Sequence, residues 1–350
     1  MTSASQDPHY ACIAWIGICA VGLTLLLVLM MVYLRMSLQR KAQEERAFLS
    51  VWRPLLLSSL HSSVSAVLPM LAANERVYFL KLWNNLMRTS TGEAAANLIS
   101  IAYSVGCDYF SRRLLRYGDR VECLLATLAL GHMRDHPSWD LLVTQTLAVD
   151  NVTSINAFQA LVQIDAEATA QQLMPLLLAR EDWPIAHVAA ILQSAQGAFL
   201  QPLLEATIEI KSVHLVRTLR LIEALHLAIP QAIVLRLLDE ANDTDTIIAA
   251  LRIANDAGLL TQVRTYLSHA DWRVRVQAAR VIGCIGEHAD INSLIPLLAD
   301  AEWWVRYRAA RALIAMPFFS IAEIEQLRDN LADRFARDML GQVLAERKPA

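Results

Sequence analysis

His132 and His136 stand four residues apart in "GHMRDH", a spacing that puts two imidazoles on one face of a helix and could hold a divalent metal. A metal centre needs a third ligand, none is apparent, and Pro137 ends any helix at that point. Two loop or turn histidines are the better reading, and no metal ligand is assigned. The five cysteines add no ligand set. Cys12 and Cys19 lie in an apolar run, while Cys107, Cys123 and Cys284 are scattered without CxxC spacing, which suits buried thiols in a reducing compartment. The sequence contains no GxxxxGK[ST] phosphate loop, no GxGxxG, no GxSxG elbow and no HExxH. No catalytic residue, cofactor or metal is therefore assigned, and the chain is expected not to be an enzyme.

The chain repeats itself instead. "DWRVRVQAARVIG" begins at Asp271 and "EWWVRYRAARALI" at Glu302, 31 positions later. A reaction needs one converging set of groups, whereas stacked units need the same interface at every junction, so the repeat points to architecture. Asp271 offers an N-cap, Val274, Ala278 and Ile282 recur at helical spacing, and Gly283 and Gly286 lie near the end. After "EHAD", the stretch "INSLIPLLAD" supplies a second short apolar helix that stops just before Glu302. Two short helices joined by a tight turn cannot cover their own apolar face and must stack on neighbours. Weaker copies start at Asp119, Asn151, Asp182, Ser212 and Asp243, so the seven starts fall 28 to 32 residues apart.

Residues 243–316 resemble the bacterial HEAT repeat, in the form also found in phycobilisome-lyase-like repeats: an acidic residue, a Val-Arg pair, small alanines, a glycine turn and a leucine-rich second helix. Residues 182–242 match that pattern moderately, 107–181 poorly, and nothing before about residue 100 recognisably. The resemblance implies an all-α solenoid of helical hairpins. Alanines 278, 279, 309 and 310 would allow close helix approach. Arg275 and Arg306 would pair with acidic caps of neighbouring units, making Asp271, Arg275, Glu302 and Arg306 the inter-repeat set. In this architecture the second helices line the concave side, so "LTQVRTYL" and "INSLIPLL" would offer Arg264, Tyr266 and Asn292 to a partner. Trp183, Trp272 and Trp303 share one position in three units; packing over the turn of each hairpin outweighs an aromatic stripe. Trp304 has no counterpart and is the best surface candidate.

Both ends depart from the repeat. Tyr10–Leu34 carries no charge, and none occurs between Asp7 and Arg35. As a helix it would be roughly 37 Å long, enough for a bilayer core of about 30 Å. The leading segment lacks Lys and Arg and no small-x-small cleavage site follows, which argues against a signal peptide. Arg35, Arg40, Lys41 and Arg46 follow the run and place the N-terminus outside and the solenoid in the cytoplasm, at a bacterial inner membrane. The tripeptides starting at Asn151 and Asn242 match the glycosylation sequon and are read as chance. At the other end Ser320 and Glu323 form a capping box, and Ile324, Leu327, Leu331, Phe335 and Met339 fall on one face of a single capping helix.

The expected organisation is an extracytoplasmic tail over 1–9, a transmembrane helix over 10–34, linking helices over 35–106, HEAT-like repeats over 107–316 and a capping helix over 317–350. The function expected is that of a membrane-anchored scaffold or adaptor that binds a partner protein; a membrane enzyme of envelope or polysaccharide synthesis is a partner that the location makes reasonable. Resemblance to bilin-lyase repeats leaves a modifying enzyme as the alternative. HEAT-like proteins that act on alkylated DNA bring nucleic acid into view, given Arg273, Arg275, Arg280, Arg306, Arg308 and Arg311. The formal net charge of -3 and the interleaved acidic residues oppose it.

Overall fold

The helices of this chain are short, and the sequence supplies acceptors where they begin. In the computed structural model, which describes residues 8–60, 68–208 and 213–347, Asp119 and Glu122 close a capping box and Asp243 accepts the Thr246 N–H at 2.8 Å. Asp271 accepts the Arg273 N–H at 2.8 Å. Each bond removes one of the four orphan donors of a helix start. Elsewhere the expected caps shift. Asp150, not Asn151, caps its helix through the Thr153 N–H, and Pro184 occupies the N-cap after Asp182. Ser212 and the segment 1–7 of the expected tail lie outside the described residues.

Every regular element among the described residues is helical, and the chain divides into two compact units, 1–145 and 146–350. The expected boundary at 107 does not coincide with that division. The first unit holds α1 (Pro8–Ser59), α2 (Arg76–Met87), α3 (Gly92–Ser104), α4 (Cys107–Tyr117) and α5 (Arg120–Met133), with α6 (Trp139–Thr146) at its edge. The apolar run and the segment after it form one continuous helix: α1 has 52 residues, about 78 Å. It is long and apolar enough to cross a membrane, and its apolar side chains from Val21 to Leu38 are exposed, Leu29 at 69% and Met31 at 70%. Further along, Phe48, Trp52 and Leu56 repeat at four-residue spacing and are buried. Trp52 meets Phe79 edge-on at 5.3 Å, and Phe79 meets Phe110 at 6.5 Å, so one aromatic chain joins α1, α2 and α4.

The second unit stacks hairpins in two layers. The first helices are α7 (Asn151–Ile164), α9 (Ile185–Leu192), α11 (Leu215–Ala224), α13 (Thr244–Ile253), α15 (Trp272–Ile285) and α17 (Trp303–Ala315). The second helices are α8 (Ala166–Ala179), α10 (Gln196–Glu205), α12 (Gln231–Glu240), α14 (Leu260–Thr265), α16 (Ile291–Leu294) and α18 (Ile321–Asn330), and α19 (Arg334–Arg347) closes the array. Each first helix packs on the next, from α7 through α17 to α19. α14 and α16 run on as 3-10 turns, Tyr266–Ser268 and Ile295–Ala299, the latter with Pro296, which has no N–H to give an α-helix.

The expected single C-terminal helix breaks. Leu331 is extended, and Asp333 accepts the Ala336 N–H at 2.8 Å to start α19. The break turns Phe335 outward, 68% exposed, and the buried face of α19 is Ala336, Met339, Leu340, Val343 and Leu344.

α15 and α17 meet closely at Gly283. A Cβ there would stand 2.7 Å from Cα and Cβ of Ala312, so α15 and α17 approach closely only because residue 283 lacks a side chain. Gly283→Ala is expected to lower stability by about 1–3 kcal/mol through overpacking, measured by urea unfolding. An unchanged midpoint would show that the two helices can move apart freely.

Candidate interaction surface

Short helices end in carbonyls that nothing inside the helix satisfies. Arginines supply the donors. Arg280 on α15 donates to the Leu251 and Arg252 carbonyls at the end of α13, at 2.7 and 3.0 Å. Arg217 on α11 reaches Leu177 O near the end of α8 and Trp183 O. Arg236 reaches Thr207 O just beyond α10, and Arg180 reaches Thr146 O and Ala148 O. Burial lowers the pKa of Arg217 and Arg280 from the ordinary guanidinium value.

Arg275 and Arg306 perform one task at equivalent places. Arg275 Nη1 donates to the His269 and Ala270 carbonyls at 2.8 and 2.9 Å, and Arg306 Nη1 to the Asp300 and Ala301 carbonyls at 2.7 and 3.0 Å. Each therefore ties down the loop that feeds its own helix. The cap amides follow the same register: Asp271 N–H meets His269 Nδ1 at 3.0 Å, and Glu302 N–H meets Asp300 Oδ1 at 2.9 Å. This corrects the expected pairing with acidic caps. Arg275 does form a two-pronged ion pair with the next unit, but through Asp300, at 2.8 Å, rather than through Glu302. Arg306 makes its bonds to carbonyls, and Glu302 accepts no cap bond through its side chain. Burial would raise the Asp300 carboxyl, but the Arg275 hydrogen bond and the Glu302 amide outweigh it and hold the pKa below the ordinary value.

The four expected partner-facing residues separate into two kinds. Arg264 is spent internally: Nε meets Asp290 Oδ1 at 2.6 Å, and Nη2 meets Glu287 and the second Asp290 oxygen at 3.1 Å. The Asp290 side chain is 1% exposed. Tyr266 is also internal, its hydroxyl donating to Leu238 O across to α12. Both are half-buried and engaged in inter-helix ties, and Arg264 also lines the groove described next. Asn292 is exposed, and so is Trp304, at 56%. A groove of about 540 Å3 runs along the second-helix face between Arg264, Leu267, Ser293, Pro296 and Leu297, with Asn292 adjacent in sequence to Ser293.

The equivalent tryptophans do not form a stripe. Trp183 is fully buried, packs at 5.1 Å on Phe158 and donates to Ser154 Oγ at 3.0 Å. Trp272 is half-buried. Trp303 is 40% exposed and stacks on Tyr307 at 5.1 Å with 9° between the rings, while Trp304 meets Trp303 edge-on at 4.7 Å. Arg311 lies 6.0 Å over the Tyr307 ring, and Tyr307 donates to Glu346 at 2.9 Å. The start of α17 thus presents a braced aromatic platform.

His132 is half-buried against Trp83, and burial lowers its pKa; His136 sits in the exposed turn that follows. Among the described residues no three His, Cys, Asp or Glu come together as a metal site. Burial pushes the Cys107 thiol up to about 12, which leaves it protonated at neutral pH.

Residues 231–316 match the family model for HEAT repeats. Over this stretch, about a quarter of the chain, the protein is similar to HEAT repeats. The match opens on the first residue of α12 and ends just past α17, so it covers the groove, the Arg275–Asp300 link and the aromatic platform. The HEAT stretch shares its two-layer stacking with α7 through α11 upstream. The chain matches no curated protein. Asp290 and Asp300, which position Arg264 and Arg275, were not singled out in the sequence; each is the aspartate of a "HAD" or "LAD" step that ends a turn or hairpin.

Arg264→Ala would leave Asp290 buried without its cation. The expected loss is about 2–3 kcal/mol for a charged hydrogen-bonded pair, with the double variant Arg264→Ala/Asp290→Asn losing less. Thermal unfolding followed by circular dichroism checks both. An Arg264→Ala protein as stable as the wild type would return Arg264 to the free surface.

Proposed function

We propose that the protein is a non-enzymatic scaffold, anchored in the bacterial inner membrane by residues 10–34 of α1, that holds a partner protein on its cytoplasmic HEAT surface. The observation that carries this reading is the platform of Trp303, Trp304 and Tyr307: aromatic area, part exposed, held by ring packing, by the Tyr307–Glu346 hydrogen bond and by Arg311 over the Tyr307 ring. HEAT repeats generally serve protein interaction, and the groove beside Asn292 extends the same two-layer array. Exposure of the apolar part of α1 and the cations Arg35, Arg40, Lys41 and Arg46 that follow it support the anchor, with the N-terminus outside. A membrane enzyme of envelope or polysaccharide synthesis is the partner class that suits an anchor and a cytoplasmic array. Anchoring confines both to one surface and raises their effective concentration.

A nucleic-acid role is disfavoured by the use of the arginines. Arg275, Arg280 and Arg306 are committed to carbonyls, and Arg273 to Asp271 and Asp245.

Tagged full-length protein, extracted in mild detergent and analysed by mass spectrometry, is expected to bring down one chain in stoichiometric amount. Trp303→Ala/Trp304→Ala is expected to weaken that capture about 30-fold, the effect of losing a hot spot worth about 2 kcal/mol. A preparation that carries nucleic acid or pigment and no partner chain would overturn the scaffold.

A further inference from the structure

Polar faces of buried helices usually spend their cations on neighbouring carboxylates. α4 does not. Its inward side is Cys107, Phe110, Ser111 and Leu115, all buried, and its outward side carries Tyr109 at 69% and Tyr117 at 81% exposure with Arg113 and Arg116 exposed between them. Spacings of three and four put these four residues on one face. Arg112 is paired with Asp108 and Asp135, but among the described residues Arg113 and Arg116 have no carboxylate within ion-pair distance. A groove of about 450 Å3 runs between these side chains.

The packing of α4 in its unit sets how far this face stands from the apolar run. Tyr78 at the start of α2 donates to Lys41 O of α1 at 3.4 Å and packs 6.1 Å from Phe48. Arg76 lies 5.4 Å over the ring of Phe110 on α4. Phe110 therefore packs on the end of α2 that borders residues 41–48 of α1, about 10–20 Å along the helix from Leu34, where the apolar run ends. The charge of the chain is divided in the same sense. Residues 1–145 hold thirteen Lys and Arg against ten Asp and Glu, whereas residues 146–350 hold eighteen against twenty-four. Arginine with interfacial tyrosine is the combination that favours the headgroup zone of an anionic leaflet.

We propose that the outward face of α4, with Tyr109, Arg113, Arg116 and Tyr117, lies on anionic lipid headgroups beside the anchor and so fixes the tilt of α1 in the bilayer. This rests on the anchored reading above. Arg113 and Arg116 bind phosphate oxygens, and the two tyrosines sit at headgroup depth, so the first unit is held against the membrane at two places.

The test uses full-length protein in nanodiscs of phosphatidylcholine alone and of phosphatidylcholine with phosphatidylglycerol. Phenylglyoxal modification of single arginines is read by mass spectrometry, with the exposed Arg273 as internal reference. Arg113 and Arg116 are expected to react about fivefold more slowly in the anionic discs, relative to Arg273, and Arg113→Glu is expected to abolish the protection of Arg116. Because each comparison is between two lipids for the same protein, a change in folding caused by the variant does not mimic the effect. Equal modification in both lipids, in a chain that resists extraction from vesicles by alkaline carbonate, would overturn the α4 contact and leave the anchor standing. A chain that carbonate strips from the vesicles would overturn the anchor and the α4 contact with it.

Discussion

The structure depends on how the ends of short helices are satisfied. A first helix of eight to fourteen residues leaves four terminal carbonyls without partners, a large share of its backbone. Glycine turns and water can serve some of them. Here guanidinium groups serve many: Arg280 at the end of α13, Arg217 at the end of α8, Arg180 at the end of α6, and Arg275 and Arg306 at the loops before α15 and α17. A fork of several donors can bind two carbonyls at once, and it favours the negative end of a helix dipole. Each such arginine fixes the spacing of two elements, so the stacking of hairpins is set by the same groups that look basic in the sequence.

That use of charge decides which surfaces remain. Along the HEAT stretch, the second-helix face is tied by Arg264 to Asp290 and by Tyr266 to Leu238, which leaves a groove rather than a row of free cations. At the end of the array the equivalent of Asp300 is Leu331, 31 residues later, and the ladder stops. Trp303 and Trp304 are exposed there, while Trp183, in the middle of the stack, is buried against Phe158 of α7, which in turn meets Phe199 of α10. One residue type at one repeat position therefore serves as core in one unit and as surface in another.

Much of the fold was legible because it is local. Asp119, Asp243 and Asp271 read as caps and are caps, and Ser320 with Glu323 forms the expected box. The all-helical hairpin array followed from apolar spacing and the repeat period. Three features were not legible. The apolar spacing continues across Asn330–Asp333, so nothing in the pattern showed that Asp333 would start a new helix and turn Phe335 outward. The first helix runs to Ser59 although no repeat signal extends there, since its hold is the aromatic packing of Trp52 on Phe79, a contact between distant segments. Arg264 and Tyr266 looked available because the resemblance puts the second helices on the concave, partner-facing side. Their partners, Asp290 and Leu238 O, stand 26 and 28 residues away and become neighbours only in the stacked array.

The claim that arginines hold the stack is tested most directly at Arg280, which lies in the most basic stretch of the chain yet points into the junction with α13. Arg280→Met keeps the unbranched apolar stem of the side chain and removes its donors. Equilibrium unfolding in urea should then show a loss of about 1–2 kcal/mol, chiefly the cost of leaving the part-buried Leu251 carbonyl without its donor. A variant as stable as the wild type would contradict the claim and make Arg280 a free surface cation.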